Sequence, residues 1–299
     1  MKKNLFYLLL LILVFGCNSD NQTNESENFD QIAEKSKKVQ VAKEEVVRLL
    51  KSFPSPLEIT SLIKQSGAGY DEDILNNVNK VSSYNTSFNK ALNLGIYGAD
   101  LGYVNIYEKS FSAMKYLEVV KSLADDLKVG HFFDFNTLKR LASNNKNIDS
   151  LIYISTSSFE KMNNYLSDQN RGNVSTLILV GGWLEGLYIS TQMVKKTNNK
   201  DLIERIGEQK VALNDIYILL AIYKNEPNFA KLVSHFEDLK ETYKNINITY
   251  EYAEPTTKEV DGMLIIEDNT RSSVNINDQQ LQTIINKISE IRAEIVNTK

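Results

Sequence analysis

Two stretches of this chain are apolar or aromatic on nearly every side, and they limit its possible folds more than any other feature. Residues 91–107 read Ala-Leu-Asn-Leu-Gly-Ile-Tyr-Gly-Ala-Asp-Leu-Gly-Tyr-Val-Asn-Ile-Tyr, inside a helical pattern running from about Thr86 to Tyr107. Residues 177–189 read Leu-Ile-Leu-Val-Gly-Gly-Trp-Leu-Glu-Gly-Leu-Tyr-Ile, inside a second pattern from Val174 to Val194. A helix with no polar face needs neighbours all round, so both are expected at the centre of a helical assembly. The second is not expected to cross a membrane: it is short between polar ends and interrupted by Glu185, whereas a span needs about 20 apolar residues. Gly95, Gly98 and Gly102 fall three and four residues apart on the first helix and share a face. A glycine inside a helix costs about 1 kcal/mol against alanine. The expected return is close approach of a neighbouring helix, or room for something bound. Gly98-xxx-Gly102-Tyr103 recurs 84 residues later as Gly182-xxx-Gly186-x-Tyr188. A duplication and a chance likeness of two buried helices both fit, and the flanking segments match poorly.

Helical spacing organises most of the remaining chain. Ile32, Val39, Ala42, Val46 and Leu49 mark a helix over 31–52, ended by Pro54. Ser55-Pro56-Leu57-Glu58 reads as a capped helix start, with a stop near Gly67-Ala68-Gly69, and Asp71-Glu72-Asp73 is expected to open another helix. Further helices are expected over 111–127, 135–144, 148–167, 200–223 with Asn199 as cap, and 228–244 with Pro227 at its first position. Gly172 marks a break. In 246–276 the period changes: Ile246, Ile248, Tyr250 and Tyr252 alternate with polar residues, as in a small hairpin or extended strap. Asn277 and Gln280 cap a final helix, 277–297, whose Leu281, Ile284, Ile288, Ile291 and Ile295 form a seam for docking on the domain or, as the sharper alternative, on a second copy. The expected fold is all-α: a multi-helix bundle or short α-solenoid-like array with a small strand or hairpin insertion before the last helix.

Each central helix carries one acid, Asp100 and Glu185. A buried carboxylate is costly unless paired or hydrogen-bonded. Tyr97, Tyr103 and Tyr107 accompany Asp100; Trp183 and Tyr188 accompany Glu185. The plainer reading is a structural network in which tyrosine hydroxyls or a lysine satisfy each acid. The sharper reading is an aromatic-lined pocket for a small ligand, built from Tyr97, Asp100, Tyr103, Trp183, Glu185 and Tyr188. The third is a hydrolase using Asp100 and Glu185, which would need their carboxyls roughly 5–9.5 Å apart.

Other chemistries find no support in the spacing. The two histidines, His131 and His235, have no second histidine at i+3 or i+4, so no metal site is expected. No Gly-x-Ser-x-Gly turn, phosphate loop or dinucleotide fingerprint occurs, and no cofactor is implied. A formal net charge of −4 gives no basic face for a nucleic acid. The expectation is a non-enzymatic protein.

The first thirty residues address destination. Lys2 and Lys3 precede an apolar run, Leu5 to Phe15, followed by Gly16 and the single cysteine, Cys17. This order reads as an export signal over 1–16. Val14-Phe15-Gly16-Cys17 resembles the lipobox of bacterial lipoproteins. That resemblance implies diacylglycerol on the Cys17 sulfur, cleavage before it, and a membrane as partner; Phe15 departs from the small residue usual at its position. With Cys17 lipidated, no free thiol remains for a disulfide or a thiolate site. Residues 18–30 are polar and nearly without apolar groups, as a tether requires. Asn18 in place of the aspartate that marks inner-membrane retention points to the outer membrane, facing periplasm or cell exterior. The expected organisation is 1–16 signal, 17–30 lipidated cysteine and tether, and 31–299 one helical domain, made of helices over 31–245, the insertion 246–276 and the last helix. The segment 95–103, Gly-x-Tyr-Gly-Ala-Asp-Leu-x-Tyr, on such a chain is similar to uncharacterised helical lipoproteins of Bacteroidota-type bacteria, which implies no activity. The expected role is a binding or scaffolding module whose partner is another envelope protein, with a small ligand as the alternative.

Overall fold

Burial of the two apolar segments dictates the architecture. A computed structural model describes residues 63–64, 67–143, 148–260, 263–267 and 271–298. Cys17, the expected helix over 31–52 and the Ser55–Glu58 helix start lie outside these residues. The first apolar segment forms α1, Ser87–Ile106, capped by the Thr86 side chain, which accepts from Asn89 N at 3.1 Å. The second belongs to α5, Gly172–Thr197, which ends on Asn198 in the left-handed region at φ 46°. The two helices make the largest helix–helix contact in the fold. By length and composition α5 could cross a membrane, yet its most apolar stretch is mostly buried against its neighbours.

Glycine sets the separation of this pair. A Cβ on Gly95 would fall 2.0 Å from the carbonyl oxygen of Ile178, and one on Gly181 would fall 1.9 Å from that of Leu92. The helices therefore touch backbone to backbone. Gly98 differs: nothing lies within 4 Å of where its Cβ would stand. Gly98→Ala is accordingly expected to stabilise the protein by about 1 kcal/mol through helix propensity alone, read as a higher urea midpoint at unchanged slope. Gly98 and Gly182, which correspond in the repeated motif, thus have different surroundings, since Gly182 N abuts Gly95.

The remaining helices enclose the pair. Helix α2, Ser110–Asp126, packs on α1 and is followed by α3, Phe135–Ser143, and α4, Ile148–Asp168. Helix α6, Lys200–Ile222, is capped by Asn199, whose side chain accepts from Leu202 N. Helix α7, Pro227–Tyr243, opens with proline at its first turn. The 246–276 segment forms four short strands: β1, Asn247–Glu251; β2, Thr256–Val260; β3, Met263–Glu267; β4, Arg271–Asn275. β2 pairs antiparallel with β3 and β1 with β4, forming two separate two-stranded sheets. Val274 of β4 packs where a Cβ on Gly207 of α6 would stand, 2.3 Å from Val274 Cγ1. Helix α8, Asp278–Val296, begins with a complete Asn277/Gln280 capping box. Its seam residues Leu281, Ile284, Ile288, Ile291 and Ile295 are all buried, with α8 set against α5, α7 and α1. The fold is an all-α helical bundle with a small hairpin before its last helix.

One expectation fails. Asp71-Glu72-Asp73 does not open a helix: residues 68–77 form an irregular strap, and only a 3-10 turn, Val78–Ser83, follows. The reason is competition. Asp71 Oδ1 accepts from Asp73 N at 3.0 Å, an Asx-type turn that replaces helix initiation. Tertiary partners take six further backbone groups of the strap, among Ala68, Asp71, Ile74, Asn76 and Asn77.

Candidate functional site

Irregular backbone held against a core must find partners for its amides and carbonyls. Here α1 and α2 supply them. Tyr97 Oη donates to the Asn77 carbonyl at 2.8 Å, Tyr116 Oη to that of Asn76 at 3.1 Å, and Tyr107 Oη to that of Ala68. Asp71 N–H donates to Tyr103 Oη at 2.9 Å, and Asn76 N–H to Asp100 Oδ2 at 3.1 Å. Burial pushes the hydroxyls of Tyr97 and Tyr116 far above their ordinary range, which keeps them protonated donors. Asn76 Nδ2 donates to Tyr84 Oη at 3.0 Å, and Tyr84 Oη donates in turn to the Val296 carbonyl at the end of α8.

Beneath the strap the two acids meet. Asp100 and Glu185 both have zero exposed surface. Arg292 of α8 reaches Glu185 with two parallel bonds, Nε to Oε2 at 2.9 Å and Nη2 to Oε1 at 2.7 Å. Such a fork is the strongest geometry for a guanidinium on a carboxylate. Nη2 also donates to the Ile74 carbonyl at 3.2 Å, and the guanidinium lies 4.4 Å from the centroid of the Tyr188 ring. Burial works against the charge of Arg292; the Glu185 carboxylate more than offsets it, so the guanidinium is held ionised. Asp100 is in side-chain contact with Glu185. Burial first, and then the Glu185 charge, push its carboxyl well above the usual carboxylate range. Its Oδ1 meets no donor.

The expected pocket residues thus fall into three places. Asp100, Glu185 and Tyr188 converge on Arg292. Tyr97 borders this centre, with its ring 6.2 Å from Tyr116 and 6.3 Å from Tyr84. Tyr103 belongs to a separate aromatic group, stacked at 5.5 Å on Tyr70 and 4.9 Å from Tyr107. Trp183 points elsewhere, donating from Nε1 to Gln209 Oε1 at 2.8 Å and packing on Phe236. Arg292 and Asn76 were not among the expected residues. For Arg292 a signal existed: it lies seven residues after Ile285, on the same apolar face of α8. For Asn76 none did.

Chemically, this is a charge-matched and inward-facing centre. The two carboxyls are neighbours, and the Glu185 charge acts on Asp100. Their oxygens face arginine, a backbone amide and each other. Among the described residues no group of three or more His, Cys, Asp or Glu side chains is placed to hold a metal ion. His235 pairs at 3.0 Å with Glu294, and His131 packs tilted on Phe132 and edge-on against Tyr165. In comparisons with known proteins, no family model, curated protein or solved structure matches this chain.

Proposed function

We propose that the chain is a membrane-anchored envelope lipoprotein whose helical bundle is a non-enzymatic binding or scaffolding module. The anchor reading rests on the sequence: an apolar run that stops at the single cysteine, then a polar tether. Acyl chains on Cys17 would each contribute about 0.8 kcal/mol per buried CH2, enough for two or more to hold the protein at a bilayer. The observation that supports a module rather than a catalyst is the internal use of the central acids. Glu185 is spent on Arg292 and Asp100 on the Asn76 amide, so the most perturbed polar groups hold the strap and α8 in place. Recognition then belongs to the outer surface, with another envelope protein as partner.

The test is acyl incorporation. In bacteria expressing the full chain with an alkyne-bearing fatty acid, label is expected on the wild type, with the protein in the membrane fraction. Cys17→Ala is expected to lose all label and to leave the membrane. Unlabelled, membrane-free wild-type protein would overturn the reading.

A further inference from the structure

The central pair poses a proton-counting problem. Asp100 Oδ1 is fully buried, meets no donor, and belongs to a carboxyl in contact with Glu185. Two ionised carboxylates cannot bond to each other; one hydrogen between them turns repulsion into a short charge-assisted bond. Among the described residues the surroundings supply one positive charge, not two. Arg292 of α8 carries it and directs two bonds to Glu185. Among the described residues, the other titratable groups facing the pair are Tyr97 of α1, Tyr116 of α2, Tyr188 of α5, Tyr84, and Tyr70 of the strap. None is a second cation.

We infer that Asp100 is the protonated member of the centre: Oδ1 carries a hydrogen donated to Glu185, Oδ2 accepts from Asn76 N–H, and this one proton latches the 68–77 strap onto the central helix pair. Charges then balance, with neutral Asp100, anionic Glu185 and cationic Arg292. Loss of the proton would leave a net buried negative charge directly under the strap. Because Oδ2 of the same carboxyl holds the strap amide, and Arg292 holds the Ile74 carbonyl, repulsion between the carboxylates would loosen both attachments together.

The sign of the pH dependence follows. The folded chain keeps a proton on Asp100 that the unfolded chain releases near the ordinary aspartate value of 3.8. Stability from this site is therefore present below that value and is lost as pH rises toward the higher range of buried Asp100. Asparagine is a neutral isostere of protonated aspartate: its amide can donate to Glu185 and its oxygen can accept from Asn76. On the full chain, Asp100→Asn is expected to fold. The unfolding constant of the wild type, divided by that of the variant, is expected to rise with pH by up to tenfold per unit above about pH 4. Amide hydrogen exchange of peptides covering 70–77, corrected for intrinsic rates, is expected to accelerate with pH in the wild type more than in the variant. Failure of Asp100→Asn to fold would overturn the inference. So would a ratio that stays flat or falls between pH 4 and 8, since either would mean that the folded chain holds no extra proton on Asp100.

Discussion

Arg292→Met is expected to destabilise the protein by about 3–5 kcal/mol, the cost of removing one partner from a buried ion pair. Methionine keeps an unbranched apolar stem and a soft atom over Tyr188, so packing is largely preserved. The charge and its donors are lost. Glu185, with no exposed surface, would lose the two bonds from Nε and Nη2, and the Ile74 carbonyl would lose its guanidinium donor. Urea denaturation at neutral pH measures the difference. A change below about 1 kcal/mol, the range of exposed pairs, would mean that Glu185 is not committed to Arg292.

Gly181→Ala is the second large effect, expected at about 3 kcal/mol or more, at or beyond the upper end for adding volume to a packed core. The added methyl would meet the Leu92 carbonyl at 1.9 Å, and no rotamer change can relieve a clash with backbone. The helices must move apart, which also parts Asp100 from Glu185. Gly95→Ala meets the same obstacle from the other side, against Ile178 O and Gly182 N. The double variant is expected to cost less than the sum, because one separation of the helices relieves both contacts. Thermal unfolding of the two single variants and the double variant reads this directly. An effect of Gly181→Ala within 0.5 kcal/mol of zero, the size expected of a surface change, would contradict the close crossing.

The features legible in the sequence are those that local chemistry decides. The Asn277/Gln280 box, the Asn199 cap and Pro227 each act within one turn, and each stands where its residues put it. The two apolar segments had no polar face to offer solvent, so their central place followed. Where long-range contacts decide, local reading fails. Asp71-Glu72-Asp73 has the chemistry of a helix start, but Tyr103, Asp100 and Tyr116 compete for the backbone of the strap from across the fold. Periodicity also could not separate Gly95 from Gly98. A three-residue step turns the helix back by about 60°, enough to leave one glycine against α5 and the other in open space. Glu185 had a charge to match, yet its partner stands 107 positions away, and spacing rules carry no information over that distance.

The bond from Arg292 to the Ile74 carbonyl joins positions 218 residues apart. Such far-flung contacts delay completion of a fold, because the intervening chain must be ordered before the contact contributes. A nascent chain that has not yet delivered Arg292 holds Glu185 without its cation and the strap without one of its two anchors at the centre. The charged centre therefore forms only once Arg292 has been made. Until then the strap and the acid of α5 lack the cation that joins them.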